Sequence, residues 1–152
     1  MSKFKTYAVS IAVPLLVGGL AGLFICGRID YDTLIKPPFS PPSVIFPIMW
    51  GILYVLMGVS YGILKNKMLA DESIGRIYYV QLLVNFLWPL LFFALKLRLA
   101  ALLCILALDI LVAVMAVKFY IRDRTAGLLQ LPYLLWVLFA TYLNWGIYLL
   151  NG

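Results

Sequence analysis

The stretch Tyr31–Tyr61, YDTLIKPPFSPPSVIFPIMWGILYVLMGVSY, decides how this chain folds. Its first half is short, polar and interrupted by the proline pairs Pro37-Pro38 and Pro41-Pro42. Because proline fixes φ and has no N–H to donate, this half cannot continue a helix and favours a stiff, extended connector. The second half is a long apolar run. The sequence therefore predicts a stiff loop that leads directly into a helix.

Five large side chains recur along that apolar run at steps of four, four, three and four residues. They are Phe46, Trp50, Tyr54, Met57 and Tyr61. At 3.6 residues per turn, this spacing places all five on one face of a helix. We expect the other segments of the chain to form the walls that this face packs against.

The composition places the chain in a membrane. Of its 152 residues, 65% are hydrophobic and only 12% are charged, a balance that ordinary soluble domains do not have. Its apolar runs approach the roughly 20 residues that a helix needs to cross a bilayer. We predict one all-α domain over residues 1–152, an integral membrane bundle of five transmembrane helices. The predicted helices cover about 7–26, 43–64, 77–95, 99–120 and 125–149, and the loop 27–42 caps a cavity between them.

Charge and residue types exclude several functions. The net charge of +6 comes from basic residues scattered through short connectors, which is not the basic patch of a nucleic-acid-binding domain. The chain has no histidine, so a His-ligated haem, a Ser-His-Asp triad and the usual zinc sites are excluded. We expect no nucleic-acid partner, no metal site and no resident cofactor.

The distribution of lysine and arginine predicts the orientation. The N-terminus and the second and fourth connectors hold eight: Lys3, Lys5, Lys65, Lys67, Arg76, Lys118, Arg122 and Arg124. The first and third connectors hold four: Arg28, Lys36, Lys96 and Arg98. By the positive-inside rule the N-terminus is cytoplasmic, and the proline-rich loop lies on the other side of the membrane.

Polar residues within the spans suggest which faces point inward. Gln81, Asn85, Trp88 and Phe92 follow one another at steps of four, three and four. Amides are costly in hydrocarbon unless they find partners, so this face should point into the bundle. A similar face in the fifth span holds Tyr133, Trp136, Ala140 and Asn144.

Two further features of the spans are open to more than one interpretation. Gly18, Gly19 and Gly22 in the first span offer a face that a second helix can approach closely, either within the bundle or in a dimer. Asp109 is the one charge near the middle of the fourth span. An acid inside a membrane is a functional candidate by default, but it could also only hydrogen-bond within the bundle.

Three long motifs occur in order along the chain. The first is Tyr31-x-x-Leu34-x-Lys36-Pro37-x-x-x-Pro41-Pro42, followed by Phe46 and Trp50; the second is Gln81-Leu82-x-x-Asn85-x-x-Trp88-Pro89-x-x-Phe92-Phe93; the third is Pro132-Tyr133-Leu134-x-Trp136-x-x-Phe139-Ala140-Thr141-x-Leu143-Asn144. Together they resemble the translocator protein family, also called the tryptophan-rich sensory or peripheral-type benzodiazepine receptor family. The resemblance covers nearly the whole chain.

The resemblance implies a five-helix bundle that often forms homodimers, here in a bacterial cell membrane. It implies binding of porphyrins, since members bind these and some bind sterols or flat synthetic ligands. Several bacterial members resemble light-dependent porphyrin-degrading enzymes. On the family pattern, the cavity is lined by Tyr31, Trp50, Trp88, Trp136, Asn85 and Ala140.

The chain departs from the family pattern at two places. Asp30 stands where the family often has a tryptophan. No lysine or arginine follows Arg124, although animal members end the fifth span with an aromatic and a basic residue. That ending is a proposed cholesterol motif and itself a weak one, so its absence counts against a sterol partner.

A porphyrin is a flat apolar disc with two carboxylates on one edge, so it needs aromatic faces and cations. Stacking on an aromatic face contributes about 0.5–1.5 kcal/mol beyond area burial. The candidate ligand-binding residues are Tyr31, Trp50, Tyr54, Gln81, Asn85, Trp88, Phe92, Trp136 and Ala140. Arg28 and Lys36 are the candidates for pairing with the carboxylates.

Three functions are compatible with these residues. The first is a receptor or carrier for tetrapyrroles. The second is an enzyme that degrades a porphyrin with light and oxygen, with the oxidisable indoles of Trp50 and Trp136 as catalytic groups; no acid–base or metal constellation supports it. The third is a transporter, against which the spans show no inverted repeat. The aromatic stripes and the amides Gln81 and Asn85 could also serve only helix packing.

Overall fold

The computed structural model describes residues 2–151 and is an all-helical bundle, as predicted. Its helices are α1 Lys3–Ile25, α2 Ile45–Asn66, α3 Glu72–Pro89, α4 Arg98–Arg122, α5 Arg124–Leu128 and α6 Leu131–Asn151. Within the described residues, five helical segments are long and apolar enough to cross a membrane, since α5 and α6 together make the fifth. The predicted fold class is confirmed.

Several helices begin earlier than the apolar runs, because polar side chains cap them. The hydroxyl of Ser2 accepts a hydrogen bond from the backbone N–H of Lys5, which starts α1 at Lys3 instead of residue 7. The carboxylate of Asp71 accepts from the N–H of Ile74, which starts α3 at Glu72 instead of residue 77. Such caps satisfy the free N–H groups of a first helical turn.

Pro89 changes the end of α3. Proline has no N–H for the helical ladder, and the backbone continues from Leu90 to Ala94 as a π-helical turn. There the N–H of Leu95 bonds to the carbonyl of Leu90, five residues back. The wider turn ends the third span with Trp88 and Phe92 both buried.

The fifth span is two helices where the sequence predicts one. Gly127 lies directly against the backbone of Tyr120, where a Cβ would overlap. The chain then turns at Leu129–Gln130 before α6 begins. The hydroxyl of Ser60 in α2 donates to the carbonyl of Ala126 at 2.7 Å, and the Gln130 amide donates to that hydroxyl at 3.1 Å. The first bond satisfies the Ala126 carbonyl, a backbone group that the turn would otherwise leave unpaired within the membrane, and the second holds the Ser60 hydroxyl in place.

The helices form a ring in which α1 packs against α2 and α3, α3 against α4, and α4 against α6. The closest approach of α1 and α2 is at Gly58, where a Cβ would overlap the backbone of Ser10 and Ile11. The glycines of α1 have another role: Gly18 leaves space for the ring of Tyr54. The close helix contact therefore depends on a glycine of α2.

The aromatic stripe of α2 divides into two parts. Met57 and Tyr61 point into the core, where the Tyr61 ring stacks on Tyr78 with centroids 4.0 Å apart. Trp50 and Tyr54, at the other end, stack on each other near the proline-rich loop. The first part holds the bundle together, and the second borders a cavity.

Ion pairs close the end of the bundle opposite the proline-rich loop. Lys67 pairs with Asp123, which also caps α5, and Arg122 pairs with Asp71 at 2.7 Å. The hydrogen bond from Lys67 holds the pKa of Asp123 below its ordinary value, and the bond from Arg122 does the same for the pKa of Asp71. Both carboxylates are therefore charged at neutral pH and fix this end of the bundle.

We predict that Gly58→Ala destabilises the protein. Its new methyl group must push α1 away, and overpacking of this kind costs about 1–3 kcal/mol. The matched control is Gly19→Ala, since a Cβ at Gly19 meets nothing within 4 Å and alanine is a better helix former than glycine. Thermal unfolding in detergent should show a lower midpoint for the first variant only. Equal midpoints would contradict the close contact at Gly58.

Candidate functional site

A cavity of about 570 Å³ lies under the proline-rich loop. Its walls are the C-terminal half of α1, the N-terminal half of α2 and the C-terminal end of α3. Four of the candidate ligand-binding residues line it: Trp50, Tyr54, Asn85 and Trp88. Phe46 and Phe93 add aromatic surface. The cavity is therefore apolar and aromatic, with one amide in its wall.

Trp50 is at the centre of a cluster of aromatic rings. Its indole stacks on Tyr54 with centroids 5.7 Å apart and an interplanar angle of 28°. The indoles of Trp88 and Trp136 each lie 6.4 Å from it, and that of Trp136 is nearly perpendicular. The second and fifth spans thus bring their indoles together. Trp136 supports Trp50 from behind and is 9% exposed.

The amides of α3 belong to a buried chain of hydrogen bonds. The Tyr54 hydroxyl donates to Asn85 Oδ1, Asn85 Nδ2 donates to the Tyr133 hydroxyl, and that hydroxyl donates to Gln81 Oε1, each at 2.7 Å. Gln81 Nε2 then donates to the backbone carbonyl of Tyr78 at 2.9 Å. Each group in the chain donates a proton to the next group, so every donor along it meets an acceptor. It links α2, α3 and α6, and only its Tyr54–Asn85 end borders the cavity.

Tyr31, Phe92 and Ala140 are buried in a second cluster beside the cavity. The Tyr31 hydroxyl donates to the carbonyl of Pro41 at 2.7 Å, and burial of this phenol raises its pKa. The Phe92 ring lies 5.3 Å from that of Trp88. These residues pack behind the rings that face the cavity.

The loop 27–42, which we call the strap, is fixed to α6. Pro37 packs on Gly146, where a Cβ would crowd the proline ring. The Asn151 side chain accepts from the N–H of Ile35 at 3.0 Å and donates to the carbonyl of the same residue at 2.7 Å. The Tyr142 hydroxyl donates to a strap carbonyl at 2.7 Å. The strap is therefore held against α6, and its residue Ile29 lines the cavity.

The two candidate cations of the strap differ in their surroundings. Lys36 Nζ donates to the carbonyls of Tyr31 and Leu34 at 3.1 and 3.2 Å and lies 4.9 Å from the Tyr31 ring centroid. Arg28 is exposed. Lys36 thus holds the strap in shape, and Arg28 is the cation with its side chain in solvent.

The cavity has a side opening between α1 and α2. Gly19 and Gly22 on α1 and Pro47 on α2 line it and are exposed. A Cβ at either glycine, or at Gly51, would meet nothing within 4 Å. On the other side of α1, an edge contact between Phe24 and Phe86 closes the gap to α3. Because these helices span the membrane, the side opening faces lipid.

Comparison with known proteins shows the family of this chain. The sequence model of the TspO/MBR family matches residues 10–150. This chain belongs to the TspO/MBR family. It is 41% identical to the tryptophan-rich protein TspO of Archaeoglobus fulgidus over 146 residues, covering 94% of this chain and 95% of the relative. It is 35% identical to the tryptophan-rich sensory protein of Cereibacter sphaeroides, covering 97% and 90%. The translocator protein of Bos taurus is 36% identical, covering 78% and 72%.

The family membership confirms the predicted resemblance, and with the five spans it makes this chain an integral membrane protein. In this TspO/MBR member, the departure at Asp30 has a structural role. The Asp30 carboxylate accepts from the Arg98 guanidinium at 2.6 Å. An ion pair thus ties the strap to the start of α4.

Sequence reasoning did not assign Tyr133 or the α1 glycines to the site. Tyr133 joins both amides of α3, and its place on the same helical face as Trp136 was the available signal. Of the three α1 glycines, Gly18 meets the Tyr54 ring of α2, and Gly19 and Gly22 line the side opening. Asp109 lies outside the cavity lining, with Oδ2 2.6 Å from the Thr141 hydroxyl.

We predict that Tyr133→Phe lowers stability by about 1–3 kcal/mol, because it leaves the Gln81 carbonyl and an Asn85 N–H without a partner. The control is Tyr120→Phe, because the side chain of Tyr120 is about half exposed. Chemical unfolding followed by near-ultraviolet circular dichroism measures both variants. A Tyr133 variant as stable as the control would show that the buried chain of hydrogen bonds contributes nothing.

Proposed function

We propose that this membrane protein binds porphyrins and similar flat hydrophobic ligands in the cavity beside Trp50. The observation that carries the proposal is an apolar cavity of about 570 Å³ with a wall of stacked aromatic rings under a hydrogen-bonded strap. This volume is typical of small-molecule sites, which are mostly apolar with a few placed polar groups. Membership of the TspO/MBR family supports the same function.

The geometry suggests how such a ligand would be held. A flat ring can stack on the indoles of Trp50 and Trp88, whose orientation is fixed by their neighbours: Trp88 Nε1 donates to Asn144 Oδ1 at 2.9 Å. Asn85 keeps one N–H of its amide for a polar atom on the ligand. The ligand carboxylates would point to the strap side, where Arg28 is the exposed cation. Entry would occur through the side opening, since the strap covers the other route.

We predict that Trp50→Leu weakens binding of protoporphyrin IX about tenfold, since it removes the central stacking surface. Trp145→Leu is the matched control, because Trp145 is 53% exposed on the outside of the bundle. Titration followed by the porphyrin Soret band reports affinity without depending on the mutated tryptophan. If both variants bind as the unmodified protein does, the cavity is not the porphyrin site.

A second candidate function is degradation of the bound porphyrin with light and dioxygen. The observation that favours it is the contact of Trp50 with both Trp88 and Trp136, each 6.4 Å away between ring centroids. Indoles are oxidisable, so an excited porphyrin stacked on Trp50 could take an electron from this cluster and pass it to dioxygen as superoxide. The indole radical cation would then regain an electron from the porphyrin, and the resulting porphyrin radical cation would combine with superoxide to give an oxygenated ring. Trp50 and Trp136 would then be the catalytic residues.

We predict that illumination with oxygen bleaches the Soret band of bound protoporphyrin IX faster in the unmodified protein than in Trp136→Phe. Trp136 lies behind Trp50, so this variant should retain binding while losing one oxidisable ring. Trp145→Phe serves as the control and should bleach at the unmodified rate. Equal bleaching in all three proteins, at equal porphyrin occupancy, would leave binding as the function.

The orientation and assembly belong to the same proposal. The excess of basic residues at the N-terminus and in the second and fourth connectors supports a cytoplasmic N-terminus. In that orientation, the strap would lie on the outer side of the cell membrane. A homodimer is proposed from the family resemblance alone.

A further inference from the structure

A second cavity, of about 620 Å³, lies at the turn between α3 and α4, beside the last turns of α6. We call it the corner cavity. Its lining includes Lys96 and Arg98 from the turn, Leu99 and Leu103 from α4, and Tyr148 from α6. It is on the same side of the membrane as the strap, where the chain leaves the bilayer. Its lining is thus basic at the water side and apolar along the helix.

The basic residues of the corner cavity outnumber the acid beside them. Arg98 is 14% exposed and bonds to Asp30, and its Nε has no hydrogen-bond partner among residues 2–151. Lys96 is 51% exposed, with Nζ 4.0 Å from the same carboxylate. One carboxylate therefore faces two cations. The excess positive charge favours an anionic ligand with acceptor oxygens, and the exposed Lys96 is the cation placed to meet it.

The backbone adds donors at the same place. Helix α4 begins at Arg98 without a side-chain cap and without an acidic residue in its first turn. The N–H groups of a first turn have no partner within the helix, and they favour an anion such as a phosphate. The first backbone N–H of α4 that is bonded within the helix is that of Ala101, which donates to the carbonyl of Leu97. The N–H groups of Arg98, Leu99 and Ala100 therefore supplement the two cationic side chains.

The apolar part of the lining continues down the outside of α4. Leu99, Leu103, Leu106 and Ile110 follow at steps of four, three and four residues, and all four are exposed. They form a stripe that runs from the basic end into the hydrocarbon region. A free phosphate would use only the basic end, whereas a phospholipid also covers the stripe with an acyl chain.

We propose that the corner cavity binds an anionic phospholipid, with the phosphodiester headgroup at Lys96 and the start of α4, and an acyl chain along the Leu99–Ile110 stripe. The site is separate from the porphyrin cavity and does not depend on the proposed function. It makes the α3–α4 turn a point where the composition of the bilayer acts on the protein.

The test compares lipids on the full-length protein. Native mass spectrometry from detergent, with added phosphatidylglycerol or phosphatidylcholine, gives the dissociation constant for the first bound lipid. We expect tighter binding of phosphatidylglycerol and about a fivefold loss of this preference in Lys96→Asn, the effect of one basic residue near a lipid surface. Asparagine suits this position, because Lys96 has a φ of 56° and asparagine tolerates the left-handed region.

The controls separate the site from charge in general. Lys5→Asn removes an exposed cation at the other end of the bundle and should leave the preference unchanged. Lys96→Arg should retain it. Equal affinity for the two lipids, or equal losses in Lys96→Asn and Lys5→Asn, would overturn the proposal. Protection from thermal unfolding by inorganic phosphate that matches the protection by phosphatidylglycerol would also overturn it, since the ligand would then be a free anion.

Discussion

Inside a bilayer a polar side chain has no water to bond, so its partner must come from the protein. The hydrogen bonds from Tyr54 through Asn85 and Tyr133 to Gln81 meet this constraint in a single chain. They fix the rotation of three helices about their axes at once. The rotation of α2 in turn decides that Trp50 faces the cavity, and the rotation of α6 places Trp136 behind it. The aromatic wall thus depends on polar contacts that lie mostly outside the cavity.

The rest of the site follows from two kinds of close contact. Glycine allows α1 to approach α2 at Gly58, and it gives the Tyr54 ring its space at Gly18. The strap adds a cover that is fixed through hydrogen bonds and through Pro37 on Gly146. Together they produce an apolar cavity beside the strap, with a side opening toward lipid. Such a site suits a ligand that partitions into membranes.

Much of this architecture could be predicted from the sequence, since hydrophobic length and helical periodicity are local properties. The five spans, the inward faces of α2 and α3 and the stiff strap all depend on such patterns. The turn at Leu129–Gln130 could not be predicted, because it depends on Gly127 meeting Tyr120 and on Ser60 from a distant helix. The sequence predicts only part of the cavity wall. Trp50 and Trp88 border the cavity, but whether Trp136 would line it or support it depends on how the helices pack in three dimensions.

The bonds between Ile35 and Asn151 join positions 116 residues apart in sequence. A ribosome makes Ile35 long before Asn151, so the strap has no anchor on α6 while the intervening spans enter the bilayer. The aromatic cavity is consequently completed at the end of biogenesis, after all five crossings are in place. In a nascent protein arrested before α6, the strap would have no partner for these hydrogen bonds, and Trp50 would lack the indole of Trp136 behind it.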